Sequence, residues 1–232
     1  MMIKIRAFKV TEDHLACLRY IKGHHMVLES YGVTKVTSLN ADWIDDPDTY
    51  AIIVESEDGK KVFGGGRIQI KSKQLRMPME DAIAILDERI YNYAENLGYY
   101  NVAEFCGLWN SKEAAGFGIG SIYMGRVGVA IAEQLNIGYL TALCSPGTLR
   151  NCLKVGFEII RELGNNGTFY YPKEDLTATA LIIKDLKDLN NANPIERDAI
   201  YKIRENLTGV ARESGPKGEM DFVYDLHIVH GK

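Results

Sequence analysis

Residues 102–157 constrain this chain more than any other part of it. Val102 to Trp109 is a strand-like run that carries one acidic residue, Glu104. A glycine-punctuated loop follows, Gly116-Phe117-Gly118-Ile119-Gly120, and it opens directly into a helix beginning near Ser121. A second strand, Tyr139 to Cys144, and a second helix, Thr148 to Val155, close the unit at Gly156-Phe157. Glycines at a strand-to-helix turn let backbone N–H groups approach an anion, and the helix N-terminus adds its positive dipole end. The loop is neither of the best-known phosphate signatures: no lysine precedes Ser121, and the dinucleotide spacing would need glycine at that same position. A phosphate-bearing ligand is still what such a device is built for.

Bulk properties narrow the setting. The chain has 232 residues, enough for one good-sized domain with its own core. Hydrophobic content of 46% and charged content of 25% are ordinary for a globular protein. A net charge of −4, with basic residues dispersed, gives no footprint for nucleic acid. No apolar run approaches the ~20 residues a membrane helix needs, and the N-terminus has no signal-peptide core. Cys17, Cys106, Cys144 and Cys152 form no C-x-x-C pair and no disulfide framework, so a reduced cytoplasm is the simplest home. Adjacent His24 and His25 lack the ligands to complete a metal site; both read as surface histidines, and no metal is expected.

The remaining elements follow from periodicity. Met2 to Val10 reads as an opening strand, Thr11 as the cap of a helix running from Leu15 to about Tyr31 and broken near Gly23. Tyr50 to Ser56 and Lys61 to Ile70 read as strands joined at Asp58-Gly59. One helix is predicted from Pro78 to Leu97, with Ile83, Leu86, Ile90 and Leu97 on its stripe and Gly98 as its stop. Glu158 to Leu163 and Thr177 to Lys184 read as strands around the loop 164–176. The tail, 186–232, adds a helix capped at Asn193-Pro194, a turn at 214–218 and a strand from Phe222 to Val229. It is read as an extension of a 1–185 domain, packed on that domain or on a second subunit in a homodimer.

The string AGFGIGSIYM, followed downstream by Gly156-Phe157, resembles the pyrophosphate loop of the GNAT superfamily of N-acetyltransferases. Gly118 and Gly120 match that loop's two glycines, while Ala115 stands where the superfamily has Arg or Gln. The order ADWIDDPDTYAIIVESEDGK, FGGGRIQI, LRMPMED, VAEFCGLWN further resembles the acyl-homoserine-lactone (autoinducer) synthases, over roughly residues 20–185. Arg67 matches that family's strand arginine, Glu104 its strand glutamate, and Asp42 and Asp45 its paired aspartates, with Asp46 an alternative register. Gly107 replaces the arginine of the Glu-Leu-Ser-Arg motif.

The resemblance implies an α/β (α+β) fold with a mixed, mostly antiparallel sheet flanked by helices and splayed between the strands at 102–109 and 139–144. It implies an N-acyltransferase taking an acyl group from acetyl-CoA or a longer acyl-CoA to the amine of a small molecule by direct transfer. Gly107, Leu108 and Trp109 would bond the pantetheine arm, and Phe117, Gly118, Ile119, Gly120 and Ser121 the pyrophosphate, so that Gly118→Asp should weaken CoA binding. An acyl-carrier protein is the alternative donor, and a non-catalytic acyl-CoA-binding module the alternative of another class.

Glu104 is the candidate base, because a carboxylate among Val102, Phe105 and Cys106 would be partly desolvated. A structural carboxylate salt-bridged to Arg67 is the competing reading. Asp42, Asp45 and Tyr170 are the candidate acceptor-binding residues, with Phe169 and Tyr171 beside the last. Cys152 stands four residues before the Gly-Phe, where the superfamily often has a tyrosine, and reads as a small buried core residue.

Overall fold

A computed structural model describes residues 3–33, 36–37 and 40–228. Ten strands form one sheet: β1 (Ile3–Lys9), β2 (Thr49–Ser56), β3 (Val62–Ile70), β4 (Val102–Asn110), β5 (Tyr139–Cys144), β6 (Glu158–Ile159), β7 (Thr168–Tyr170), β8 (Thr177–Ile183), β9 (Thr208–Gly215) and β10 (Gly218–Asp225). Their order is β6-β8-β5-β4-β3-β2-β1-β10-β9, with β7 also pairing on β8. Only β1 with β10 and β4 with β5 run parallel; every other pair is antiparallel. The helices are α1 (His14–Ser30), α2 (Pro78–Ile83), α3 (Arg89–Leu97), α4 (Ser121–Gln134), α5 (Pro146–Lys154) and α6 (Pro194–Glu205). This is the mixed, mostly antiparallel sheet flanked by helices that the sequence predicts.

The run TYAIIVES of β2 is apolar on both faces because both faces are covered. Ile52 and Val54 join the core beneath α4, whereas Ala51 and Ile53 join the core beneath α1. Side chains alternate across the sheet, so Arg67, Gln69, Glu104 and Cys106, paired across β3 and β4, share the α1 face. Phe105 points to the other face and packs where Gly128 of α4 leaves room for its ring.

Several boundaries differ from the sequence reading, each for a local reason. Asp13, not Thr11, caps α1: its carboxylate accepts from the Ala16 N–H at 2.9 Å after a 3-10 turn at Val10–Glu12. The helix does not break at Gly23, where the missing side chain makes space for the Trp109 indole. The helix predicted over 78–97 is two helices. Asp87 turns the chain by accepting from Arg89 N–H (3.2 Å) and Gly164 N–H (2.8 Å), which leaves Leu86 half exposed rather than on the buried stripe. Met2 and Val229, given to the terminal strands from sequence, lie outside the described residues.

The tail is a hairpin as well as a helix, since Thr208–Gly215 forms β9. β10 continues the main sheet beside β1, and α6 packs on α4. Arg126 of α4 ties the tail in, bonding Glu196 at 2.6 Å and Glu213 at 3.4 Å. The hairpin's tip sits on the glycine loop, with Lys217 N–H donating to the Gly116 carbonyl at 2.8 Å.

The Gly23–Trp109 contact gives a prediction in which two effects oppose each other. Gly23→Ala gains ~1 kcal/mol of helix propensity but overpacks the indole, at a cost of ~1–3 kcal/mol. The variant should melt below the wild type, and adding Trp109→Leu should restore part of the loss, as thermal denaturation of the double-mutant cycle would show.

Candidate active site

Strand β4 pairs with β5 at three positions only: Val102 with Tyr139, Ala103 with Leu140 and Glu104 with Thr141. Beyond Glu104 the two strands part, β4 running on to Asn110 and β5 to Cys144. The parting coincides with a bulge in β4. Gly65 opposes Trp109 and Arg67 opposes Cys106, so Gly107 and Leu108 together face Gly66. Gly107 has φ +63°, a conformation costly for other residues, and its carbonyl accepts a hydrogen bond from the Tyr20 hydroxyl. A Cβ at position 107 would lie 2.5 Å from that hydroxyl. The glycine that replaces the expected arginine is therefore what the bulge requires.

A cavity of about 500 Å³ occupies the gap and passes through the sheet. His24, Leu28, Thr37, Glu104 and Tyr171 line it on the α1 side. Ser121, Gly125, Thr148, Cys152 and Phe157 line it on the side of α4 and α5. Gly107, Leu108, Trp109 and Asn110 form the wall between.

Glu104 is 2% exposed and accepts a hydrogen bond from the Met79 N–H at 2.6 Å. Burial pushes its carboxyl up to about 8, against the Met79 bond and the positive field of Arg67, while Glu80 and Asp81 push it further up. Glu80 itself is held by Lys71 at 2.5 Å and by the Met77 N–H at 2.9 Å, so it is a structural acid beside the site. Arg67 is buried beneath the cavity, its guanidinium 4.7 Å from the centre of the Trp43 ring. No salt bridge joins Arg67 to Glu104 among the described residues, so the salt-bridge reading of Glu104 is not what is observed. The Arg67 charge favours the ionised form of Glu104, and Arg67 is not among the residues lining the cavity.

His24, read from sequence as a surface residue, is 4% exposed and lines the cavity, while His25 points outward and pairs with Glu29 at 3.4 Å. The His24 ring stacks on Trp109, with 6.4 Å between centroids and 6° between planes. Burial and the Arg67 charge hold its pKa down to about 4, so it is neutral at pH 7. The helical spacing of Tyr20, His24 and Leu28 could have singled it out, but no sequence signal says which face of α1 meets β4. Thr37, also missed, meets Tyr171 of the predicted aromatic trio across the cavity rim, where the Thr37 N–H donates to the Tyr171 hydroxyl at 2.8 Å.

The cysteines offer no activated nucleophile paired with histidine. Burial pushes the Cys106 thiol up to about 12. Cys152 does not sit sealed in the core; it lines the cavity in contact with Cys144, which raises the Cys152 pKa and lowers that of Cys144.

The glycine loop is half covered. The hairpin of β9 and β10 occupies its outer side: a Cβ on Gly118, at φ +93°, would lie 2.7 Å from Glu213 Cβ and 2.8 Å from the Ser214 nitrogen. Gly118→Asp would therefore disturb the fold whatever it did to an anion, and it is a poor probe of charge. Gly120 has open space where a Cβ would stand, and it caps α4 with no side chain bonded to the helix end. Of the predicted loop residues only Ser121 lines the cavity, its hydroxyl accepting from Asn151 Nδ2 at 2.8 Å. Ile119 is a core residue whose carbonyl accepts from Asn110 Nδ2 at 2.6 Å, and Phe117 lies beside Gly218.

The three candidate acceptor residues lie outside the cavity lining. Asp42 is turned to solvent, accepting from Asn40 Nδ2 at 2.6 Å, and Asp45 lies 3.3 Å from His14 Nε2 on the outer surface. Neither reaches the cavity, because Trp43 between them is the residue that turns inward under α1. Tyr170 is 69% exposed: strand alternation in β7 buries Phe169 and puts Tyr170 outside, leaving Tyr171 at the cavity.

The Glu104 shift carries a stability consequence. Its folded value, about 8, exceeds the ordinary 4.5, so between these pH values the folded state holds a proton that the unfolded chain has released. Its contribution is complete below pH 4.5 and is lost as pH rises towards 8. His24, held near 4, acts oppositely, its contribution being lost as pH falls from 6.5 to about 4. Urea midpoints should show Glu104→Gln gaining on the wild type steadily from pH 5 to pH 8; parallel curves would refute the shift.

No protein-family model matches the sequence, and no curated protein sequence matches it. Solved structures do match its fold. The N-acyl amino acid synthase FeeM, from uncultured soil microbes, superposes with a TM-score of 0.57 at 15% identity, over 83% of this chain and 99% of that one. The CoA-dependent acyl-homoserine lactone synthase MesI gives 0.58 at 15% identity, over 85% and 95%. BjaI, a CoA-dependent acyl-homoserine lactone synthase solved with SAM and isopentyl-CoA, gives 0.53 at 13% identity, over 86% and 90%. The chain shares with these structures a mixed α/β fold with a mostly antiparallel sheet flanked by helices, as its sequence predicts.

Proposed function

We propose that this protein is an N-acyltransferase that moves an acyl group from acyl-CoA to the amine of a small molecule, an amino acid or a derivative, by direct transfer. The observation that carries this reading is the parting of β4 and β5 at Glu104, with a through-sheet cavity and one buried carboxyl facing it. A thioester entering from the side of α4 and α5 would meet an amine entering from the side of α1, at the point where Glu104 stands. FeeM is an N-acyl amino acid synthase and MesI a CoA-dependent acyl-homoserine lactone synthase, which supports an amine acceptor and an acyl-CoA donor. Gly120, with free space at an uncapped helix end, is the part of the loop that fits a pyrophosphate. That fit favours acyl-CoA over a carrier-bound donor, whose arm brings a single phosphate.

In this reading the backbone of Gly107 to Trp109 pairs with the pantetheine amides in place of the missing strand. The Glu104 carboxylate takes the proton from the amine as its nitrogen bonds to the thioester carbon. The C–S bond then breaks, and the proton passes from Glu104 to the departing thiolate, leaving an amide and free CoA. Arg67 favours the ionised form of Glu104 without touching substrate.

Purified protein given an acyl-CoA panel and an amine pool should release free thiol only when both are present. Its absence across the panel would refute the enzyme reading and leave an acyl-CoA-binding module. With an acceptor already uncharged at neutral pH, kcat/KM should rise with pH and level off above about 8, where Glu104 is ionised. Glu104→Gln should remove that limb and lower turnover by ~10²–10⁴, with CoA affinity nearly unchanged. Gly120→Asp, which has room for its side chain, should weaken CoA binding in calorimetry while leaving the melting temperature in place. Equal CoA affinity in that variant would move the pyrophosphate away from the α4 N-terminus.

A further inference from the structure

Among the described residues His24 is the one histidine that lines the cavity. Tyr20, His24 and Leu28 recur at four-residue spacing on the side of α1 that meets β4. Tyr20 spends its hydroxyl on the Gly107 carbonyl, and Leu28 supplies apolar wall. The His24 imidazole is fixed between rings, stacked on Trp109 and tilted at 50° against Tyr20 with 6.0 Å between centroids. Yet neither of its ring nitrogens has a hydrogen-bond partner among the described residues, although the residue is almost wholly buried. The ring nitrogens are not among the sealed side-chain atoms left without a partner, so they open on the cavity, where a ligand can bond them. Neutral imidazole offers one acceptor and one donor nitrogen. Burial and Arg67 keep it in that neutral form at pH 7.

We propose that His24 binds the acceptor: a ring nitrogen accepts a hydrogen bond from the acceptor's amine N–H, beside Glu104, while the acceptor's apolar or aromatic body lies against Leu28, Val33, Pro78, Trp109 and Tyr171. The substrate class is a primary amine on an apolar or aromatic frame. His24 holds the nitrogen lone pair towards the thioester, and Glu104 takes the proton. The inference rests on the acyltransfer reading, but it concerns a residue that this reading does not use.

The test pairs kinetics with a binding signal. The donor is octanoyl-CoA, and the acceptors are phenylalanine, tyrosine and their amides. His24→Phe keeps a flat ring on Trp109 but removes the hydrogen-bonding nitrogens. It should raise KM for the amine ~10-fold or more, the usual worth of a buried polar contact, and leave KM for octanoyl-CoA within about twofold. His24→Gln, which keeps an acceptor, should recover part of the loss. An unchanged amine KM in His24→Phe, or equal rises in both KM values, would overturn the proposal. If the wild type turns over none of these amines, the acyltransfer reading fails by itself. His24 is then judged by the nitrogen resonances of its labelled imidazole in the wild-type protein. A shift on adding the amines supports it as their binding residue, and an unmoved signal overturns it, including where His24→Phe does not fold.

Discussion

The hydrogen bond from the Tyr20 hydroxyl to the Gly107 carbonyl holds open the feature on which the rest of the site depends. A strand leaving its neighbour exposes a row of backbone donors and acceptors that must find partners elsewhere. Here the extra residue in β4 turns one carbonyl towards α1, where Tyr20 satisfies it, and the remaining groups face the cavity. Only glycine permits this, because position 107 has a left-handed conformation with a hydroxyl where its Cβ would be. Gly23 completes the arrangement by letting Trp109 lie against the helix. Bulge, helix and cavity wall are thus one packing unit.

Electrostatics in this unit are set by burial more than by pairing. Glu104 and His24 occupy the same cavity with protonation preferences opposite to those in water: the acid holds its proton to about pH 8 and the imidazole refuses one down to about 4. Desolvation disfavours the charged form of each, and the Arg67 charge favours an ionised carboxylate and a neutral imidazole alike. The Arg67 guanidinium lies over the Trp43 ring, and its charge acts on both groups though Arg67 is not in the cavity lining. In the proposed reading these are the two groups that meet the amine.

The tail is built into the body of the protein rather than appended to it. β10 adds a parallel strand to β1, α6 covers α4, and Arg126 joins both to the core through Glu196 and Glu213. The hairpin tip then braces the outside of the glycine loop and leaves Gly120 facing open space. In the proposed acyl-CoA reading, such a brace stiffens the loop and lowers the entropy lost on binding.

Local order was legible in the sequence, and spatial convergence was not. The strand-loop-helix unit around Gly116–Gly120, the hairpin at Asp58-Gly59 and the isolated Glu104 in an apolar strand all follow from periodicity and turn chemistry, which act over a few residues. With the family resemblance they were enough to name the fold and to single out a carboxyl that the structure buries. On the α1 side Asp42, Asp45 and Tyr170 lie on the surface, while His24 and Thr37, not singled out from sequence, line the cavity with Tyr171 of the predicted aromatic trio. A one-residue difference decides which side of a strand is buried, and a third of a turn decides which face of a helix meets a sheet. Those registers are fixed by contacts between segments far apart in the chain, Tyr20 with Gly107 and Gly23 with Trp109. The sequence by itself determined which elements form and which residue could act as an acid; only the tertiary packing decided which side chains face it.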